Sequence, residues 1–91
     1  MALEMNVQFE PGGEIRFVSQ LHCHSYRLSK DVKRAYNFTY RTDAVVNEVA
    51  RRLFDDGAHR VFFTGSNLRG SLADARKRRI TKKSIGWRKS R

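Results

Sequence analysis

A single cysteine, Cys23, excludes an internal disulfide, so burial and hydrogen bonding must hold whatever fold forms. No apolar run approaches the roughly 18 residues that span a bilayer, which leaves electrostatic adsorption as the only mode of membrane contact. The first five residues lack the basic-then-apolar pattern of a signal peptide. With the lone thiol, this places the expected location in a reducing interior, cytoplasmic or nucleoid/nuclear, and not secreted.

Acids are scarce, with nine Asp and Glu against 19 Lys and Arg. Their only close pair, Asp55-Asp56, precedes Gly57 and reads as a solvent-facing helix end. A nuclease needs carboxylates converging on a metal or a general base, and the sequence shows no such constellation, so no catalytic residue and no enzyme activity is expected. Soft ligands are equally few. On a strand His22 and His24 face one way and Cys23 the other, with His59 remote in sequence, so neither metal nor cofactor is expected. Cys23 beside His24 has no orienting acid and reads as a half-buried thiol.

What is abundant is positive charge, and it is not spread evenly. From Arg69 to Arg91 ten basic side chains stand against one acid, Asp74, a net +9; residues 1–68 carry nine basic and eight acidic groups, a net +1. So dense a cluster repels itself, and a polyanionic partner relieves the repulsion. At 91 residues there is room for one small domain. The expected division is an α+β body over 1–75 and a basic C-terminal helix extension or tail over 76–91.

Along the body, Val7 and Phe9 alternate with polar neighbours. Pro11-Gly12-Gly13 signals a turn, and Ile15 and Phe17 resume the alternation: an opening hairpin. Residues 19–33 fit no single period. Tyr36, Phe38 and Tyr40, spaced by two, predict a strand with an aromatic face over 34–41. Thr42 can cap a helix whose apolar stripe is Val45, Val46, Val49, Ala50 and Leu53, with Glu48 in reach of Arg51 or Arg52 and Gly57 as the C-terminal cap. A short strand over 60–64 follows, then a second helix with the stripe Leu68, Leu72, Ala75. The expected fold is therefore a small single-domain α+β structure. It has about four strands (opening hairpin, aromatic strand, short strand), two helices on one face and a basic C-terminal tail. If the strands around the first helix are parallel neighbours, their crossover is right-handed.

Arg69, Arg76 and Lys83, seven apart, share one face if the second helix persists, away from its apolar stripe. Thr64-Gly65-Ser66-Asn67 joins a strand to a helix start, where free N–H groups suit a phosphate, but it lacks the spacing of a nucleotide-binding loop and reads as plain turn-and-cap chemistry. The stretch Arg34–Tyr40 is similar to the aromatic strand of RNA-recognition motifs, with Tyr36 and Phe38 at two ring positions. It departs at Ala35 and Tyr40, and no helix separates the first two strands. Core packing against the Val45–Leu53 helix is the favoured reading of these rings. Val61–Arg76 also resembles a segment of an archaeal chromosomal protein over under a fifth of the chain, and no residue role carries over. Trp87, the one large ring in the basic tail, suits either stacking on a base or anchoring the tail on the body with Ile85.

The function expected from these features is non-enzymatic nucleic-acid binding with weak sequence preference, DNA slightly favoured over RNA. The leading contacts are Arg69, Arg76, Lys77, Arg78, Arg79, Lys82 and Lys83, followed by Trp87, Arg88 and Lys89. Two alternatives share the same evidence: a small regulatory or viral host-modifying module docking on an acidic protein surface, and a ribosome-associated structural protein. Exposed strand edges and a small core also suit a homodimer.

Overall fold

The computed structural model describes residues 3–22, 25–65 and 79–88. Its sheet has four antiparallel strands, β1 (Leu3–Gln8), β2 (Ile15–His22), β3 (Ser25–Ser29) and β4 (Arg60–Gly65), in the order β3-β2-β1-β4. One helix, α1 (Asp43–Asp55), covers one face, and a short 3-10 turn spans Val32–Arg34.

The opening hairpin forms as its alternation predicts. Gly13 N–H donates to Glu10 O at 2.8 Å, and Gly12 sits at φ +72°, a conformation that favours glycine. The register pairs Asn6 with Phe17 and Val7 with Arg16. β4 lies on the other side of β1 and antiparallel to it, pairing Met5 with Phe63 and Val7 with Val61, so the question of a right-handed parallel crossover does not arise. These four side chains are buried beneath α1 with Leu3 and Val18.

The resistance of residues 19–33 to any single period has a structural cause. The β2–β3 ladder pairs Val18 with Leu28 and then Gln20 with Arg27, leaving Ser19 as a bulge. Val18 and Leu21, three apart, would point to opposite faces of a regular strand. The extra residue returns Leu21, paired with Tyr26, to the α1 side. The carbonyl of Val18 accepts the N–H of Tyr36 at 2.8 Å, which draws the following segment across the sheet.

The expected aromatic strand over 34–41 is not a strand. Asp31 accepts the N–H of Lys33 at 2.9 Å and starts the 3-10 turn. Asn37 Oδ1 then accepts the N–H of Leu3 at 3.1 Å and of Thr39 at 3.0 Å, turning the chain where a ladder would continue. The spacing by two reflects this crossing. Phe38 is fully buried with its ring edge-on to Tyr36 at 5.0 Å and to Phe63 at 6.0 Å, whereas Tyr40 is 90% exposed.

α1 follows its sequence signals closely. Thr42 Oγ1 accepts the N–H of Val45 at 3.3 Å, and Val46, Val49, Ala50, Leu53 and Phe54 are buried. At its end Gly57 takes φ +99°, its N–H bonds Phe54 O at 3.0 Å and the Ala58 N–H bonds Leu53 O at 2.9 Å, a Schellman closure. Glu48 reaches both Arg51 at 3.6 Å and Arg52 at 3.9 Å. Two helices were expected, but α1 is the one α-helix among the described residues. The second falls on residues 66–78, outside the described residues. Its continuation to Lys83 is not seen, because Ile80 is extended beside Val61 and 82–86 form turns.

Two outcomes follow from this packing. Phe38→Ala should cost about 3–5 kcal/mol in urea unfolding, because it empties a fully enclosed site; a loss under about 1 kcal/mol would contradict the burial. Tyr26 is desolvated and donates its hydroxyl to Asp56, which holds its pKa well above the ordinary value of 10.0. The folded state therefore keeps this proton where the unfolded chain loses it. That contribution to stability is complete below the unfolded pKa and is lost as pH rises above it. Near-ultraviolet phenolate absorbance should show one late-titrating tyrosine, absent in Tyr26→Phe.

Candidate nucleic-acid interface

The basic segment is tied to the body at both flanks. The chain leaves the sheet at Gly65, the last residue of β4, and returns to the same strand where Ile80 forms an antiparallel bridge with Val61, its N–H 2.9 Å from Val61 O. Residues 66–79 between these points include Arg69, Arg76, Lys77, Arg78 and Arg79 against Asp74, a net +4. Arg69, Arg76, Lys77 and Arg78 lie outside the described residues, as do Lys89, Cys23 and His24.

Beyond Ile80 the chain folds onto α1. Thr81 and Ser84 cap one another, the Thr81 N–H donating to Ser84 Oγ at 3.1 Å and the Ser84 N–H to Thr81 Oγ1 at 3.0 Å. Gly86 at φ +65° ends the turn, and the Trp87 N–H bonds Lys82 O at 2.8 Å. This geometry directs Ile85 inward, where it is buried, and Arg51 Nη2 donates to its carbonyl at 2.9 Å. The Trp87 ring packs on Phe54 at 6.3 Å, and its indole N–H donates to Asp55 Oδ1 at 2.7 Å. Of the two uses open to Trp87, anchoring is the arrangement seen.

The described cations divide by role. Lys82 Nζ lies 4.7 Å from the Trp87 centroid and 5.8 Å from that of Phe54, a cation over two ring faces. Arg79, Lys83 and Arg88 are exposed and make no ion pair among the described residues. On β4, Arg60 stacks its guanidinium 4.2 Å over Phe62. The Thr64-Gly65 step is absorbed by the sheet: Thr64 Oγ1 accepts from buried Asn6 Nδ2 at 2.8 Å, and Gly65 pairs with Leu3. Ser66 and Asn67 lie outside the described residues.

Sequence reasoning missed Asp55 and Arg51 as the groups that hold the tail. The adjacent acids are exposed, as their reading as a solvent-facing helix end implied, but Asp55 also binds the tail and Asp56 binds Tyr26 of β3. Nothing in their spacing signals those partners. Among the described residues no three His, Cys, Asp or Glu side chains converge in a way that would hold a metal ion. No described helix is long and apolar enough to cross a membrane. No protein-family model, curated protein or solved structure matches the chain.

Trp87 is the chain's one tryptophan, so its fluorescence reports the clasp directly. Asp55→Ala should red-shift the emission, raise quenching by acrylamide and cost about 1 kcal/mol of stability. Emission and quenching identical to the unsubstituted protein would rule the clasp out.

Proposed function

We propose that this chain is a small non-enzymatic nucleic-acid-binding protein that grips the phosphate backbone with the basic residues between Arg69 and Arg91. The supporting observation is a conjunction. A net charge of +9 is confined to 23 residues, and the flank of that segment from Ile80 to Trp87 is docked on β4 and α1. Fixing the flank lowers the conformational entropy lost when cations line up along phosphates. Lys83 stands exposed on it and Arg79 and Arg88 at its two ends, and Arg69, Arg76, Lys77, Arg78 and Lys89 add further charge by sequence.

Such contacts read charge and not base edges, so sequence preference is weak. Duplex DNA is slightly favoured over RNA. Phe38 is buried, Tyr36 is half-buried and Trp87 is engaged with Phe54, which leaves Tyr40 as the one exposed ring of the aromatic stretch for the stacking on splayed bases that single-stranded recognition uses.

Deleting the tail would confound the test, because Ile85 belongs to the core. Charge removal is cleaner. Titrations of labelled duplex and single-stranded oligonucleotides at several salt concentrations should give a log–log slope of about −5 for the unsubstituted protein. Replacing Arg76, Lys77, Arg78 and Arg79 together by alanine should reduce its magnitude by about 3. Binding that ignores salt, or a slope unmoved by the four substitutions, would refute the proposal.

A further inference from the structure

Ile80 bridges to Val61 of β4, and the opposite edge of the sheet has its own unassigned features. β3 is the terminal strand, and among the described residues nothing pairs with its outer edge. Alternate N–H and C=O groups of an edge strand point away from the sheet and can template another strand. β3 has no proline to block this, and the bulge at Ser19 lies on β2, away from that edge.

A groove runs alongside, apolar between β2, β3 and α1 and of mixed polarity beyond. A cavity of about 200 Å³ opens between β2, β3 and α1, walled by Leu21, Tyr26, Val45 and Val49 with Glu48 and Arg52 at its rim. A second, of about 440 Å³, shares Ser25, Tyr26 and Arg52 with it and extends past Leu28 to Asp56. The shared residues make the two cavities neighbours along β3. An apolar cavity of about 150 Å³ already takes a benzene ring, so the first has room for a branched aliphatic side chain, and Leu28 gives the more open second one an apolar wall. Tyr26 and Leu28, two apart on the α1 side, set a spacing of about 6.6 Å, the repeat at which alternate side chains of an added strand would enter the groove.

Charge selects the occupant. Residues 25–34 carry Arg27, Lys30, Lys33 and Arg34, all exposed, against Asp31, a net +3, with Lys30 held 3.3 Å from Glu14. Arg27 pairs with Gln20 on the face away from α1, where the remaining residues of an added strand would point. A second copy of this chain fits poorly, because antiparallel pairing of two β3 edges brings their Arg27 side chains together between chains of net charge +10. We propose that the β3 edge and its groove bind an extended peptide in which aliphatic and acidic residues alternate. Its aliphatic side chains fill the two cavities, its carboxylates face Arg27, and its backbone continues the sheet.

The probe is an acetylated, fluorescein-labelled hexapeptide of alternating leucine and glutamate, followed by anisotropy with the full chain and by amide chemical shifts. Saturable binding is expected, with shifts confined to β3 and the α1 residues facing it. Methylating the peptide's alternate backbone nitrogens should weaken binding roughly tenfold, a control that leaves the protein unaltered. Val45→Glu, a change at a half-buried position of the cavity wall, should weaken it similarly and leave oligonucleotide binding intact, which separates this site from the basic segment. The proposal is overturned by any of four results: no binding at millimolar peptide, indifference to N-methylation, shifts confined to residues 79–88, or a dimer in sedimentation whose amide shifts place β3 at the interface.

Discussion

The last turn of α1 joins the two margins of the molecule. Its residues advance by about 100° each, so neighbouring side chains leave the helix in different directions. Asp55 turns to the indole of Trp87, Asp56 turns to the hydroxyl of Tyr26, and Arg51, one turn earlier, reaches the carbonyl of Ile85. The glycine-dependent closure at Gly57 ends the helix where those two carboxylates stand and lets Ala58 re-enter the core before β4 begins. Tail, helix and edge strand are thereby linked through one short segment.

That linkage gives the charge asymmetry a place in the fold. Ordering backbone costs about 1–2 kcal/mol per residue, and a stretch of nearly unopposed cations would not meet that cost by itself. From Ile80 to Trp87 the cost is offset by burial of Ile85, by the indole bond and by the seating of Lys82 over two rings. The near-neutral body thus carries an anchored basic flank on the β4 side, while the β3 side presents a smaller basic edge beside an apolar groove. Two surfaces of different chemistry, the one proposed to meet phosphates and the other an acidic strand, belong to the two sides of one sheet.

Where local chemistry decides structure, the sequence was readable. The Pro11–Gly13 turn, the Thr42 cap, the apolar stripe of α1, Gly57 and the Val61–Phe63 strand all appear as their residues imply. The failures share a cause, since each depends on a partner that local spacing does not reveal. The Ser19 bulge is visible only in the pairing of Gln20 with Arg27. Tyr36, Phe38 and Tyr40 carry a strand's alternation, but Asn37 is engaged by Leu3, 34 residues away, and no ladder forms. The candidate site divides the same way. Its charge is plain in composition, whereas the attachment of Trp87 to Asp55 across 32 residues is a tertiary fact.

The central claim is that docking the tail, and not charge alone, equips the basic segment to bind nucleic acid. The most direct measurement is the affinity of Trp87→Ala for duplex DNA across a salt series, compared with the unsubstituted protein. The substitution removes no charge. The account predicts a parallel line, weaker by roughly tenfold at every salt concentration with its slope unchanged. Coincident lines would show that the clasp plays no part in binding and would contradict the account.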